Sequence, residues 1–114
     1  MDFSIPESHQ QFAASFRRFC EDRLVPRAAE ADRTGVLPAE TWRDLGSIGF
    51  LGLYHEERWG GSNADWLQRA LAEEELARAC ASSFLSAGAS TGLFGGPIAR
   101  FGTEAQQARW LPGI

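Results

Sequence analysis

Residues 79–99 read Ala79-Cys80-Ala81-Ser82-Ser83-Phe84-Leu85-Ser86-Ala87-Gly88-Ala89-Ser90-Thr91-Gly92-Leu93-Phe94-Gly95-Gly96-Pro97-Ile98-Ala99, a run without one charged residue. An uncharged segment of this length faces either lipid or protein interior. It is crowded with small residues, and a small-residue surface lets a second helix or a ligand come close. Hydroxyls and glycines outnumber Leu, Ile and Val, Pro97 stands near the end, and no asymmetric cluster of positive charge flanks the run. Composition therefore favours burial against protein over a membrane hairpin. The spacing predicts a helix from about Ser82 to Phe94, stopped by Gly95-Gly96-Pro97, with a short further turn through Ile98 to Phe101. Gly88, Gly92 and Gly96 recur every four residues and can seat a neighbouring helix.

The segments on either side of this run are also helical in pattern. Ser62 and Asp65 form a capping box for a preceding helix, about Ala64 to Ala79. Leu67, Ala70, Leu71, Glu74 and Ala77 share one face of it, which places Glu74 in an apolar stripe. Two readings of Glu74 stay open: a half-buried residue reaching out to Arg78, or a buried carboxylate accepting hydrogen bonds from a neighbouring element. Asp65/Arg69 and Glu74/Arg78 have the spacing of i,i+4 ion pairs. On the other side, Thr103-Glu104-Ala105-Gln106 opens a last helix through Trp110, and Leu111-Pro112-Gly113 ends it.

Nearer the start, Ser4-Ile5-Pro6-Glu7 has the form of a capping box, with Pro in the first turn. Phe12, Phe16, Phe19 and Cys20 then form one apolar stripe. Pro26 kinks or restarts the helix and Gly35 breaks it. Pro38 starts a shorter helix with Trp42 and Leu45 on its inner face, ending at Gly46 or Gly49. Gly49 to Tyr54 is apolar but punctuated by glycine, which reads as a packed turn. Glu56 to Gly61 is a loop closing on a diglycine that needs unusual backbone angles. No period-2 alternation survives four residues, so the expected fold is all-α, an orthogonal or up-and-down bundle of five or six helices.

The chain has 114 residues, 44% of them hydrophobic, and a net charge of −4. This length suits one domain with a modest core. All eleven basic residues are arginines spread along the chain, so no basic patch invites a nucleic acid or an anionic membrane. Cys20 and Cys80 both fall in apolar helical patterns and are expected to be buried free thiols. The opening M-D-F-S-I-P-E has no signal-peptide pattern, and the expected compartment is the cytoplasm.

Signatures of chemistry are absent. There is no phosphate loop, G-x-G-x-x-G, H-E-x-x-H or G-x-S-x-G, and no Cys or His spacing suited to a metal. His9 is expected in solvent in a first helical turn. His55 sits beside Glu56 and Glu57, which would raise its pKa. Glu73, Glu74 and Glu75 are consecutive, and on a helix their side chains point about 100° apart, so they do not converge on one substrate atom. No catalytic residue is assigned.

The order of landmarks says more. Phe19 with Leu24-Val25-Pro26; Leu45-Gly46-Ser47-Ile48-Gly49-Phe50-Leu51-Gly52-Leu53; Glu57-Arg58-Trp59-Gly60-Gly61; Glu74-Glu75-Leu76-Ala77-Arg78; Gly96-Pro97-Ile98; and Phe101-Gly102-Thr103-Glu104-Ala105-Gln106-Gln107 with Trp110-Leu111-Pro112 follow one another in order and spacing. In these motifs the chain resembles the N-terminal helical domain of acyl-CoA dehydrogenases along essentially its whole length. Glu56 stands where the family usually has Pro, which loosens that loop, and Gln107 where it often has Lys. The resemblance implies an FAD-dependent parent enzyme that oxidises an acyl thioester, on CoA or a carrier protein, to its α,β-unsaturated form. It implies a middle β domain and a C-terminal helical domain that hold the flavin and the catalytic glutamate, in cis or in trans, and a homo-oligomer. Residues 1–114 are then the N-terminal domain alone, binding no FAD by themselves. The resemblance also places the acyl-chain channel wall on the uncharged helix, with Ser86, Ala89, Ser90 and Leu93 as the expected substrate contacts. A stand-alone helical interaction module without catalytic activity is the alternative.

Overall fold

A computed structural model describes residues 2–114. Helix α1 (Glu7–Arg23) begins after Pro6 with no side-chain cap. The expected Ser4/Glu7 box does not form: the Ser4 N–H donates to Asp2 Oδ1 at 2.8 Å, while the His9 and Gln10 N–H groups use the Pro6 carbonyl. Helix α2 (Val25–Thr34) follows a one-residue joint at Leu24. Pro26 falls in its first turn, where a missing N–H leaves nothing unpaired, so the chain restarts there. Helix α3 (Ala39–Ser47) is entered from Pro38, and tight turns at Phe50–Gly52 and Glu57–Trp59 follow.

The diglycine after the second turn is a steric requirement. Gly60 has a φ of 85°, and a Cβ at Gly61 would overlap the His55 carbonyl oxygen. The loop thus folds back on itself, with Gly61 N–H donating to Glu56 O and Asn63 N–H to His55 O.

Helix α4 (Trp66–Ala79) begins three residues later than the expected box places it. Asp65 is the cap: its side chain accepts from the Gln68 N–H, and Gln68 Oε1 accepts from the Asp65 N–H. The buried face also differs from the expected one. Ala72, Glu75 and Leu76 are its buried residues, and Glu74 is exposed. The buried carboxylate is therefore Glu75, one residue away, and neither i,i+4 pair forms. Arg17 of α1 donates Nε and Nη2 to Glu75 Oε1 at 3.0 and 2.6 Å, and Arg78 donates to Oε2 at 3.1 and 2.7 Å. The hydrogen bond from Arg17, more than any other contact, holds the Glu75 carboxyl below its ordinary range.

Helix α5 (Ala81–Gly88) is capped by a thiol, with Cys80 Sγ accepting from the Ser83 N–H at 3.4 Å. It runs without interruption through a π-helical stretch, Ala89–Gly95, into α6 (Gly96–Phe101). The expected stop at Gly95-Gly96-Pro97 does not occur. A proline inside a regular α-helix meets the carbonyl four residues back. Here the helix has already widened: the Gly96 N–H bonds Thr91 O, five residues back, and Gly95 and Gly96 stay in helical geometry. Thr91 supports the wide turn, its buried hydroxyl donating to Ala87 O at 2.8 Å. Helix α7 (Glu104–Trp110) carries the expected Thr103/Gln106 capping box and ends in a tight turn, Leu111–Gly113.

Counting 81–101 as one rod, the described residues form six helical units and no strand, as the sequence predicts. The core lies where α1 and α4 meet α3 and the 50–53 turn: Phe16, Cys20, Leu24, Leu45, Phe50, Leu53, Ala72 and Leu76 are buried together. Phe16 and Phe50 stack at 5.5 Å. Both cysteines are free and buried. Among the described residues no helix is long and apolar enough to cross a membrane.

Candidate functional site

The 81–101 rod, uncharged apart from Arg100 near its end, has a covered side and an uncovered one. Ser83, Ala87, Thr91 and Gly95 face inward at four-residue intervals and are buried. Outward, Leu85 is 68% exposed, Leu93 80% and Phe94 46%. Phe101 and Trp110 extend the apolar surface, and Phe94 meets the Trp110 edge at 6.0 Å. An apolar surface made of neighbouring large side chains marks a contact site for something outside the chain.

The four expected contact residues lie along this rod but not in one hollow. Ser86 is half-buried in a hollow of about 460 Å³ between the rod and α2, together with Asp32, Val36 and Trp42. Ala89 is exposed and Ser90 half-buried, both at the start of the wide turn. Leu93 stands on the rim of a second hollow of about 630 Å³. The i+3, i+4, i+7 spacing assumes regular α winding. The π stretch from Ala89 onward breaks that assumption, which separates Leu93 from Ser86.

Tyr54 forms much of the second hollow's floor. Its ring lies against Gly92 and Gly96, where a Cβ would come within 3.7 and 3.8 Å of ring or hydroxyl atoms. Two of the three regularly spaced glycines thus seat an aromatic ring of the 49–54 turn rather than a helix, while Gly88 has open space around it. The Tyr54 hydroxyl donates to Glu73 Oε1, and burial raises the Glu73 pKa above its ordinary value. Helical spacing in α4 alone carries no signal for this pair, because Tyr54 comes from another element.

His55 is buried at 4% exposure, and burial pushes its pKa below 6.5. The expected rise fails because Glu56 and Glu57 point into solvent while the imidazole turns inward. His9 is not free in solvent either: Nε2 pairs with Asp65 Oδ2 at 2.8 Å, tying α1 to the cap of α4. Among the described residues no group of His, Cys, Asp or Glu is placed to hold a metal ion. A flavin dinucleotide needs free backbone N–H groups for its pyrophosphate. At the starts of α4, α5 and α7 the third N–H is already taken, by Asp65, Cys80 and Thr103, which makes each a poorer cradle for that group than an uncapped turn.

With this arrangement in place, comparison with known proteins gives a consistent result. A sequence profile of the acyl-CoA dehydrogenase N-terminal domain matches residues 6–114. Human mitochondrial short-chain specific acyl-CoA dehydrogenase is 36% identical over 107 residues, 94% of this chain and 26% of that protein. Butyryl-CoA dehydrogenase from Megasphaera elsdenii superimposes with a TM-score of 0.85 at 36% identity, covering 98% of this chain and 30% of that one. A chain solved in work on the electron transferring flavoprotein of Acidaminococcus fermentans gives a TM-score of 0.90 at 32% identity, covering all of this chain and 30% of that one. The chain belongs to the acyl-CoA dehydrogenase family and has the fold of its N-terminal domain. It spans between a quarter and a third of the length of these relatives.

Proposed function

We propose that this chain is the N-terminal domain of an FAD-dependent dehydrogenase acting on an acyl thioester of CoA or of an acyl carrier protein, and that the 81–101 rod walls the acyl-chain channel. The observation that supports this most is the rod's uncovered side in a member of this family: apolar, uncharged up to Arg100, and carrying Leu85, Ala89 and Leu93 in exposed positions. When bound by the complete enzyme, the flavin supplies the hydride acceptor, and a carboxylate base lies in another domain. The part played by this chain is to bind and to exclude water. Ala89 and Leu93 would meet the hydrocarbon tail and Ser90 keeps that part of the wall small, while Ser86 would reach the tail only where the channel passes the hollow beside α2. Burying a methylene contributes about 0.8 kcal/mol, so tail length is read through this wall.

The test uses the complete reading frame that contains this chain, purified and assayed for bound flavin and for oxidation of a series of acyl-CoAs. With Leu93→Trp we expect KM for longer acyl chains to rise by about ten-fold or more while the shortest substrate is spared, a difference of about 1.4 kcal/mol in binding. An equal effect on every chain length would remove Leu93 from the channel. A flavin-free, inactive product of the complete frame would overturn the enzyme reading and leave the helical interaction module.

A further inference from the structure

The 630 Å³ hollow beside the rod has a feature that channel walling does not use: a cation without a partner. Of the two half-buried arginines, Arg27 is paired with Asp44, whereas Arg69 meets no carboxylate among the described residues. Asp65, one turn before it, is engaged by the His9 imidazole and the Gln68 N–H. The Arg69 guanidinium is held instead between two rings, 4.9 Å from the Tyr54 centroid and 5.0 Å from the Trp66 centroid. Its Nε is sealed from solvent and unbonded, leaving the terminal nitrogens to meet an occupant. Burial lowers the pKa of Arg69, with only the charge of Asp65 opposing.

A half-buried charge without a counter-charge is costly, and the cost falls when an anion supplies the missing pair. Aromatic faces orient a guanidinium but cannot accept two parallel N–H bonds as a carboxylate does. The surroundings agree. Arg100 also borders the hollow and has no ion pair, while Glu56, on the rim, is paired with Arg58 Nε at 2.7 Å. Trp66 is 72% exposed and Phe101 78%; each has a guanidinium over one face, Arg69 at 5.0 Å and Arg100 at 5.3 Å, and the high exposure leaves the rest of each ring open to an occupant. The volume lies within the range of small-ligand sites, about 300–1,000 Å³, and an apolar lining with a few convergent polar groups is their usual make-up.

We propose that this hollow binds a small flat apolar molecule carrying a carboxylate, its oxygens paired with the Arg69 guanidinium and its body against Trp66 and Phe101. The site is built from α4, the 49–54 turn and α6, and is separate from the Ser86 hollow. It stands or falls independently of flavin chemistry, since its test needs neither flavin nor turnover.

The experiment is a titration of the complete protein that contains this chain, isotopically labelled at arginine and tryptophan, with sodium benzoate, followed by nuclear magnetic resonance of the arginine Nε–H and tryptophan indole signals. Neutral benzamide, the same shape without the charge, is the control. Benzoate is expected to give saturable shifts at Arg69 and Trp66, and benzamide to bind about ten-fold or more weakly, about 1.4 kcal/mol. Arg69→Gln should abolish the benzoate response, and Arg69→Lys should retain a weakened one, because lysine keeps the charge and loses the fork. Absence of saturation, equal binding of benzamide, or an unchanged response in Arg69→Gln would overturn the proposal. If Arg69→Gln fails to fold, the comparison of benzoate with benzamide on the unaltered protein decides.

Discussion

At the scale of the residue, Glu75 shows how one buried carboxylate can join two elements. Each of its oxygens takes the guanidinium of one arginine, Arg17 from α1 and Arg78 from its own helix. Both arginines are half in water, so the pair of contacts is charge-assisted but not sealed from solvent. Replacing Glu75 by Gln keeps the shape and removes the charge. We expect a loss of about 1–3 kcal/mol in chemical denaturation at neutral pH, the range for a hydrogen-bonded charge with its partner gone. The pH dependence has a definite sign. The folded pKa of Glu75 is held below its ordinary value of 4.5, so the unfolded chain takes up a proton first as pH falls. The stabilisation is then complete above the unfolded pKa and lost as pH drops through the folded one. Unaltered protein and Glu75→Gln should begin to converge in stability as pH falls through the ordinary carboxylate range and meet only below the folded pKa of Glu75. A gap that stays constant from neutral to acid pH would show that the charge is not what joins the helices.

At the scale of the element, the start of α4 decides more than its length suggests. Both Ser62 and Asp65 are residue types that cap helices, and a rule based on spacing alone selects the earlier one. The structure selects Asp65, because Ser62 N–H and Ala64 N–H are occupied by Gly52 O and Leu53 O, which anchor residues 62–64 to the preceding turn. Asp65→Ala should therefore lower stability by about 1 kcal/mol, whereas Ser62→Ala should change it by less than about 0.5 kcal/mol. Thermal melts of the two variants side by side check this, and the reverse order would return the cap to Ser62. A separate cause decides that Glu75, not Glu74, is buried: α4 is turned by what it packs against, with Ala72 and Leu76 in the core and Glu75 against Arg17 of α1. The rod 81–101 makes a similar point. Pro97 reads locally as a stop, yet the helix passes it because the preceding turn is wide and Thr91 supports it.

At the scale of the whole molecule, the uncovered side of the rod is the dominant property. Leu85, Leu93, Phe94 and Phe101 place several large apolar side chains of the rod in water. Such a surface drives association when nothing covers it. We expect the 114-residue chain to self-associate with rising concentration in analytical ultracentrifugation, and Leu85→Glu with Leu93→Glu to shift it toward monomer. Unchanged association in that double variant would place the contact elsewhere.

How much of this was legible beforehand depends on distance along the chain. The all-helical class, the Thr103 capping box, the Pro26 restart, the Gly35 end of α2 and the aromatic stripe of α1 are decided by residues within a turn or two of each other. The order of motifs was enough to indicate the family. The partners of Glu75, the seat of Tyr54 on Gly92 and Gly96, the inward turn of His55 and the unpaired guanidinium of Arg69 each join residues from different elements. Local propensity and spacing carry no information about such meetings. They are set when apolar faces pack, because burial selects the rotation of each helix and leaves the polar groups to find partners at the positions that rotation gives them. Sequence by itself determined the helical class, the order of the helices and the inward stripe of α1; only the tertiary structure decided the cap of α4, the passage of the rod through Pro97 and which way α4 faces, because those depend on contacts between elements.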